Sequence, residues 1–212
     1  MDDRDDARTH RVELMATIVL ALAAVATAWS TYQGARWRGD QAVDTSRATA
    51  AHIESSEAQT RAGQLTQVDI ATFTQWVDAT TSGDAALAAF YEARFRDEFQ
   101  PAFDAWIATE PLTSPDAPLT PFAMPEYKVA EAQRSTSLNR EAGERSAAAG
   151  AANKRADDYM LAVVLFAAAL FFAAISGKVH SRRQREFLLG LGTVMLLGGA
   201  AWVLTLPMSF GR

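Results

Sequence analysis

Three uncharged apolar stretches stand out in a chain that is otherwise polar: LMATIVLALAAVATAW from Leu14 to Trp29, a second from Tyr159 to Gly177, and a third from Phe187 to Phe210. A hydrocarbon layer about 30 Å thick is crossed by roughly 20 helical residues. The second and third stretches meet that length. The first meets it once Trp29 and Tyr32 are counted, because aromatic rings favour the headgroup level. The pattern predicts transmembrane helices over 14–32, 159–177 and 187–207, joined by a basic turn at 178–186 and flanked by tails at 1–13 and 208–212. A charged start followed by a short apolar core is also the outline of a secretion signal. Here the leading MDDRDDARTHRVE is more acidic than basic, and the apolar run ends in WSTYQGARW without a small-x-small cleavage site. The first stretch therefore reads as a retained span.

The segment 33–158 between the first two spans shows helical patterning throughout. Its ends, 33–62 and 127–158, are rich in Ala, Ser, Thr and charge, lack proline and carry few large apolar groups. Such compositions favour helix, and the similar lengths predict two arms that run antiparallel. Between them the tip, 63–126, is apolar and aromatic. Leu65, Val68, Phe73, Trp76 and Val77 follow a helical period. After TTSGD a second helix is expected, N-capped by Ser82 or Asp84. Along it Leu87, Tyr91, Phe95, Phe99 and Phe103 recur every fourth residue as one amphipathic face, interrupted or restarted at Pro101. The stretch 109–126 holds Pro111, Pro115, Pro118, Pro121 and Pro125. It reads as a loop folded on the end of a helical bundle, partly in polyproline II form. Its apolar Leu112, Leu119, Phe122, Met124 and Tyr127 exceed what a flexible linker needs. Phe122, Met124 and Tyr127 are the candidate partner-binding residues, with a cap on the bundle as the alternative role.

Charge supplies the orientation. Lys and Arg near span ends mark the cytoplasmic side, and KVHSRRQR places Lys178, Arg182, Arg183 and Arg185 in one short turn. With that turn in the cytoplasm, the N-terminus with Arg4, Arg8 and Arg11 is cytoplasmic too, and 33–158 lies outside. That segment has 12 basic and 19 acidic residues, a balance of −7, whereas the remainder has 8 and 6, a balance of +2. Arg36, Arg38, Lys154 and Arg155 lie near the membrane on the outer side and run against this trend without reversing it. The overall net charge of −5 argues against a nucleic-acid binder, which shows a basic face.

Catalytic chemistry is hard to assemble from these residues. The chain has no cysteine and three histidines, His10, His52 and His180. Thiolate sites and disulfides are excluded, and a zinc site would need nearly every histidine in one place. Acid pairs occur at helical spacing, Asp40 with Asp44, Glu54 with Glu57, and Glu141 with Glu144, each with arginine nearby, as on a solvated helix surface. His52 and Glu57 supply too few ligands for a metal. No phosphate loop, His-Glu-x-x-His or Gly-x-Ser-x-Gly motif is present. No catalytic residue, cofactor or metal is assigned. The spans carry no ionisable group in their middles, which disfavours a proton-coupled transporter. Small residues do fall on helical faces: Ala24 with Ala28, Ala169 with Ala173 and Gly177, and Gly192 with Gly199. Such faces let helices approach closely in lipid and point to oligomerisation.

The motifs ATAWSTYQGARWRGDQA, FTQWVDA and PAFDAWIATEPLTSPDAPLTPFAMPEY resemble those of an uncharacterised family of bacterial three-span integral membrane proteins. The resemblance covers most of the chain. It implies an inner-membrane protein with a first span ending near WSxYQ, a helical middle and two closing spans with a basic turn, and it transfers no activity or ligand residues. Taken together, the expected fold is all-α, an integral membrane protein with three transmembrane helices and a helical extramembrane bundle inserted between the first and second spans. The expected function is a non-enzymatic scaffold or accessory subunit in the bilayer, partnered by further copies or other membrane proteins. A homo-oligomeric channel or gate, and a sensory input module acting through a partner, are the alternatives.

Overall fold

A computed structural model of the chain describes residues 2–111, 113–179 and 181–209, with side chains from Val12 onward. The side chains of Arg4, Arg8, His10 and Arg11, together with Leu112, His180 and Phe210, lie outside the described residues. The described residues form α-helices and connecting turns, with one 3-10 turn at Pro121–Ala123 and no strand. In order the helices are α1 (Asp2–Thr81), α2 (Ala85–Glu92), α3 (Gln100–Ile107), α4 (Ala130–Ser176) and α5 (Arg182–Val203).

The 80-residue α1 is possible because no proline precedes Pro101, so no backbone donor is missing within it. It ends at TTSGD. Gly83 takes φ +77°, and the N–H groups of Gly83 and Asp84 return to the carbonyls of Thr80 and Ala79 at 3.2 and 2.9 Å. This Schellman closure needs a left-handed residue, which glycine supplies at no steric cost. Asp84 then caps α2, its Oδ1 accepting from the Leu87 N–H at 2.9 Å. The aromatic stripe, expected as one amphipathic helix interrupted or restarted at Pro101, breaks earlier, after Glu92. Residues 93–99 form turns, and α3 restarts with Pro101 in its first turn, where a missing N–H costs nothing.

Three helices are long and apolar enough to cross a membrane, within Val12–Thr81, Ala130–Ser176 and Arg182–Val203. In their most apolar windows only 17%, 33% and 22% of residues are buried, so most of the apolar surface faces away from the chain. Leu22, Val25, Val164, Phe171, Val194 and Leu197 are all exposed.

The chain divides into two compact units, one of Met1–Ser46 with Ser146–Arg212 and one of Arg47–Arg145. In the first, the buried face of α1 runs through Ala16, Val19, Ala23, Ser30, Gln33 and Trp37, and that of α4 through Ala149, Ala152, Ala156, Tyr159, Ala162, Phe166, Ala169 and Ala173. The steps alternate between three and four residues with an occasional seven, the 3.5-residue period that keeps one seam facing a partner helix. Small side chains dominate it. Against α4 lies α5, with Gly192 and Gly199 buried at the contact. A Cβ at Gly192 would stand 3.1 Å from the Ala169 carbonyl oxygen, and one at Gly199 would stand 2.8 Å from the Phe166 ring. Ala169 and Ala173 are thus in the contact with Gly192 and Gly199, whereas Ala24, Ala28 and Gly177 are exposed. Ala24 sits one residue off the seam position Ala23, and Ala28 two residues off Ser30.

In the second unit the same spacing continues on α1 through Ala48, Ala51, Ser55, Ala58 and Ala62, and on α4 through Ser135 and Ala142. Here Ser55 Oγ lies 2.9 Å from the Ser135 carbonyl and 3.1 Å from its hydroxyl. Beyond Ala62 the seam widens into an aromatic core of Phe73, Trp76, Phe95, Phe99, Phe103 and Trp106.

The glycine contact yields a stability prediction. Gly199→Ala drives a methyl group into the buried Phe166 ring and should destabilise the α4–α5 contact by about 1–3 kcal/mol. Gly190→Ala meets nothing within 4 Å and should be neutral or slightly stabilising. Thermal unfolding of the two variants in detergent, followed by circular dichroism, checks the difference.

Candidate functional site

The most concentrated polar chemistry sits where the small-residue seam of α1 meets the aromatic core. Asp69 occupies a seam position and its side chain is completely buried. A buried carboxylate must be compensated, and Asp69 is compensated by the turn before α3. Arg96 Nε donates to Asp69 Oδ1 at 2.9 Å and Arg96 Nη2 to Oδ2 at 3.3 Å, a two-pronged contact. Arg96 Nη2 also donates to Glu98 Oε2 at 2.9 Å, and Glu98 Oε1 accepts from the Ala130 N–H at the start of α4 at 3.4 Å. The fourth member is Tyr127. Its hydroxyl donates to Asp69 Oδ2 at 3.0 Å and lies 3.2 Å from Thr66 Oγ1. The carboxylate contacts hold the Arg96 guanidinium above the ordinary arginine range. Burial pushes the Tyr127 phenol upward, and the adjacent Asp69 charge adds to the rise.

The proline-rich loop closes over this network. Phe122 stacks on Phe99 with centroids 5.2 Å apart and meets Phe73 and Tyr127 edge-on at 5.7 and 5.1 Å. Trp106 Nε1 donates to the Pro118 carbonyl at 2.6 Å. Phe122, Met124 and Tyr127, the candidate docking residues of the loop, are half-buried against the aromatic core. Leu119 is different, being 94% exposed at the loop's crest. The short helix α2 has exposed apolar groups as well. No residue of α2 is buried, and Leu87 and Phe90 are 41% and 47% exposed. The Arg94 guanidinium lies over the Phe90 ring, 3.4 Å from its centroid.

A second polar constellation belongs to the unit that holds the apolar windows. The WSTYQGARWRGD stretch lies entirely within α1, and its Ser30, Gln33, Trp37 and Asp40 share one face. The segment after α5 folds onto that face. Trp37 Nε1 donates to the Pro207 carbonyl at 3.2 Å, and the Tyr159 hydroxyl approaches the same oxygen at 3.4 Å. The Ser209 N–H donates to Gln33 Oε1 at 3.0 Å, and the Ser209 hydroxyl lies 3.1 Å from Asp40 Oδ2. Arg155 stacks over Trp37 at 4.5 Å. The motif therefore forms a clasp for the segment that follows α5.

No known protein family, no curated protein and no solved structure matches this chain. Its own geometry must carry the reading. The acid pairs noted in the sequence are distributed along helix surfaces. Glu57 pairs with Arg61 at 3.8 Å, Glu54 with Arg134 at 3.9 Å, and Glu141 with Arg145 at 3.8 Å. His52 and Glu57 line a shallow open groove on α1 with Ile53, Ser56, Thr60 and Arg61. Among the described residues no three His, Asp or Glu side chains converge on a metal position.

Neither polar constellation was singled out from the sequence. Its trace there is a polar residue at a seam position: Asp69 between Ala62 and Phe73, and Gln33 between Ala23 and Trp37, each at a place where the 3.5-residue period puts an apolar or small group.

Two outcomes test the tip network. Asp69→Asn leaves Arg96 facing a neutral amide, with Glu98 still paired to it, and should cost about 1.5–3 kcal/mol in urea unfolding of the full chain. Tyr127→Phe should cost about 1 kcal/mol. Because the folded phenol is raised above its unfolded value, its contribution is intact below a pH of about 10 and is lost as pH rises through the folded value. The gap in stability between the parent protein and Tyr127→Phe should therefore shrink in alkaline titration and stay constant at neutral pH.

Proposed function

We propose that this chain is a non-enzymatic scaffold or accessory subunit of a bacterial inner-membrane complex, with both the N-terminus and the 178–186 turn in the cytoplasm. The segment 33–158 is then an extracytoplasmic helical domain that docks a partner. The observation that carries the reading is the outward-facing apolar surface of the first unit: Leu22, Val25, Val164, Phe171, Val194 and Leu197 are exposed, while alanine and glycine, with Phe166, Tyr159 and Leu196, make the contacts inside. In water that arrangement would leave large apolar patches exposed. In lipid it is the favourable one, since helices there associate through small residues and close packing. The apolar windows take up only part of α1 and α4, and the remaining polar helix needs an aqueous phase. The basic turn supports the stated orientation.

Docking is assigned to the apolar groups that the tip leaves uncovered, Leu87 and Phe90 on α2 and Leu119 on the loop. Phe122, Met124 and Tyr127 are half-buried against the aromatic core. Large apolar side chains on a rigid support meet a partner with little ordering cost. Each such anchor contributes about 2 kcal/mol or more when it is a hot spot.

Two experiments test these assignments. The chain has no native thiol, so single-cysteine variants report topology directly. An impermeant maleimide applied to intact cells should label Ser114→Cys and spare Ser181→Cys; the reverse pattern inverts the topology. For docking, the combined variant Leu87→Ser, Phe90→Ser, Leu119→Ser should keep its helix content and lose proteins that copurify with the parent chain in mild detergent. An unchanged set of copurifying proteins removes the tip as the docking surface. A symmetric ring of this chain alone would favour the channel reading instead.

A further inference from the structure

The turn between α4 and α5 contains a recess of about 390 Å³ lined by Val179, Arg183, Gln184, Phe187 and Leu188. Its polar and apolar groups are ordered along one helix. Arg183 and Gln184 lie one turn before Phe187 and Leu188, and residues four apart share a face. The recess is thus cationic at its outer end and apolar toward the span. Phe187 at the junction is 70% exposed.

The turn's cations divide into two groups. Arg182 pairs with Glu186 at 3.1 Å, and Arg185 pairs with Glu13 of α1 at 3.5 Å. Arg183 lines the recess, and Lys178 is next in the chain to the lining residue Val179. Both are exposed, and among the described residues neither has an acidic partner. One unneutralised cation in the lining of an apolar recess, with a second preceding the lining residue Val179 in the chain, matches an anion that carries a hydrocarbon chain.

We propose that this recess binds an anionic phospholipid, with its phosphate held by Arg183, Gln184 and Lys178 and an acyl chain lying along Phe187 and Leu188. Free inorganic phosphate shares the headgroup chemistry but gains nothing from Val179, Phe187 and Leu188, three of the five lining residues. A zwitterionic lipid would set its own ammonium among the same cations. The assignment rests on the reading that α4 and α5 cross the bilayer, with the turn at its surface.

The test uses the full-length chain. Carbonate extraction of the protein reconstituted in phosphatidylcholine vesicles checks the spanning reading by itself: retention supports it, and release overturns it whatever the headgroup results. Lipid binding is then read by native mass spectrometry in detergent, with dioctanoyl phosphatidylglycerol, dioctanoyl phosphatidylcholine and inorganic phosphate as probes. The expected result is one phosphatidylglycerol per chain at concentrations where phosphatidylcholine does not bind. Each basic residue near a headgroup contributes about fivefold in affinity, so Lys178→Gln with Arg183→Gln should weaken binding by about 25-fold. Arg140→Gln, a charge change at an exposed position in the other unit, should leave it unchanged. Equal binding of the two lipids, or no loss in the double variant with helix content intact, overturns the proposal. Displacement of the lipid by millimolar phosphate also overturns it and reassigns the recess to a free anion.

Discussion

Close approach of helix backbones, possible only where the facing side chains are no larger than alanine or serine, is the constraint on which everything else depends. A Cβ at Gly34 on α1 would stand 3.6 Å from the Ala156 carbonyl oxygen and from Tyr159 Cβ, one at Gly192 on α5 would meet the Ala169 and Ala173 backbones, and Ser55 reaches Ser135 directly. Seams of this kind bury little apolar area per residue, and burial of apolar area is the usual source of stability in water. They gain instead from dispersion contacts between closely spaced backbones. That gain suffices in lipid, where burial of apolar surface offers no advantage between helices. It is meagre in water.

The second unit therefore draws its stability from its far end. Nine aromatic side chains from α1, α2, the 93–99 turns, α3 and the segment between α3 and α4 meet around Phe99 and Phe103. Aromatic pairs favour offset-stacked or edge-to-face geometries but are less directional than charge-assisted hydrogen bonds. The Asp69 carboxylate is directional, because it accepts from Arg96 twice and from Tyr127 once. One contact comes from before α3 and one from just before α4, so a single group on α1 fixes both. A buried ion pair is a poor source of net stability. What this one does is join α1, the turn before α3 and the entry to α4 at one point, with Glu98 completing the link to the Ala130 N–H.

Much of this was legible in the sequence because it follows from one-dimensional rules. The apolar runs gave three long helices, TTSGD gave the break before a second helix with Asp84 as one of its two cap candidates, and proline spacing gave the loop after α3. The aromatic stripe misled because its four-residue period continues across 93–99. The repeat records which side chains reach the core, and turns can deliver them as well as a helix can. The clasp of Gln33, Trp37 and Asp40 on Pro207 and Ser209 was hidden for another reason. Its partners are about 170 residues apart, and sequence shows no pairing at that distance. Asp69 was passed over because an isolated acid in a helix is usually solvated, and only the alternating three- and four-residue step reveals that its position faces inward.

That step has a consequence for how such a chain can vary in length. One inserted residue turns everything after it by about 100° around the helix axis and swings the buried face toward solvent. A change of seven residues leaves the seam almost where it was. The paired segments of α1 and α4 must also lengthen together, since Ser55 faces Ser135 only while the two counts agree. Relatives of this architecture should therefore differ in matched blocks of seven, each adding about 10 Å of helix, and a sequence of intermediate length would have to bulge or break one helix to restore the match.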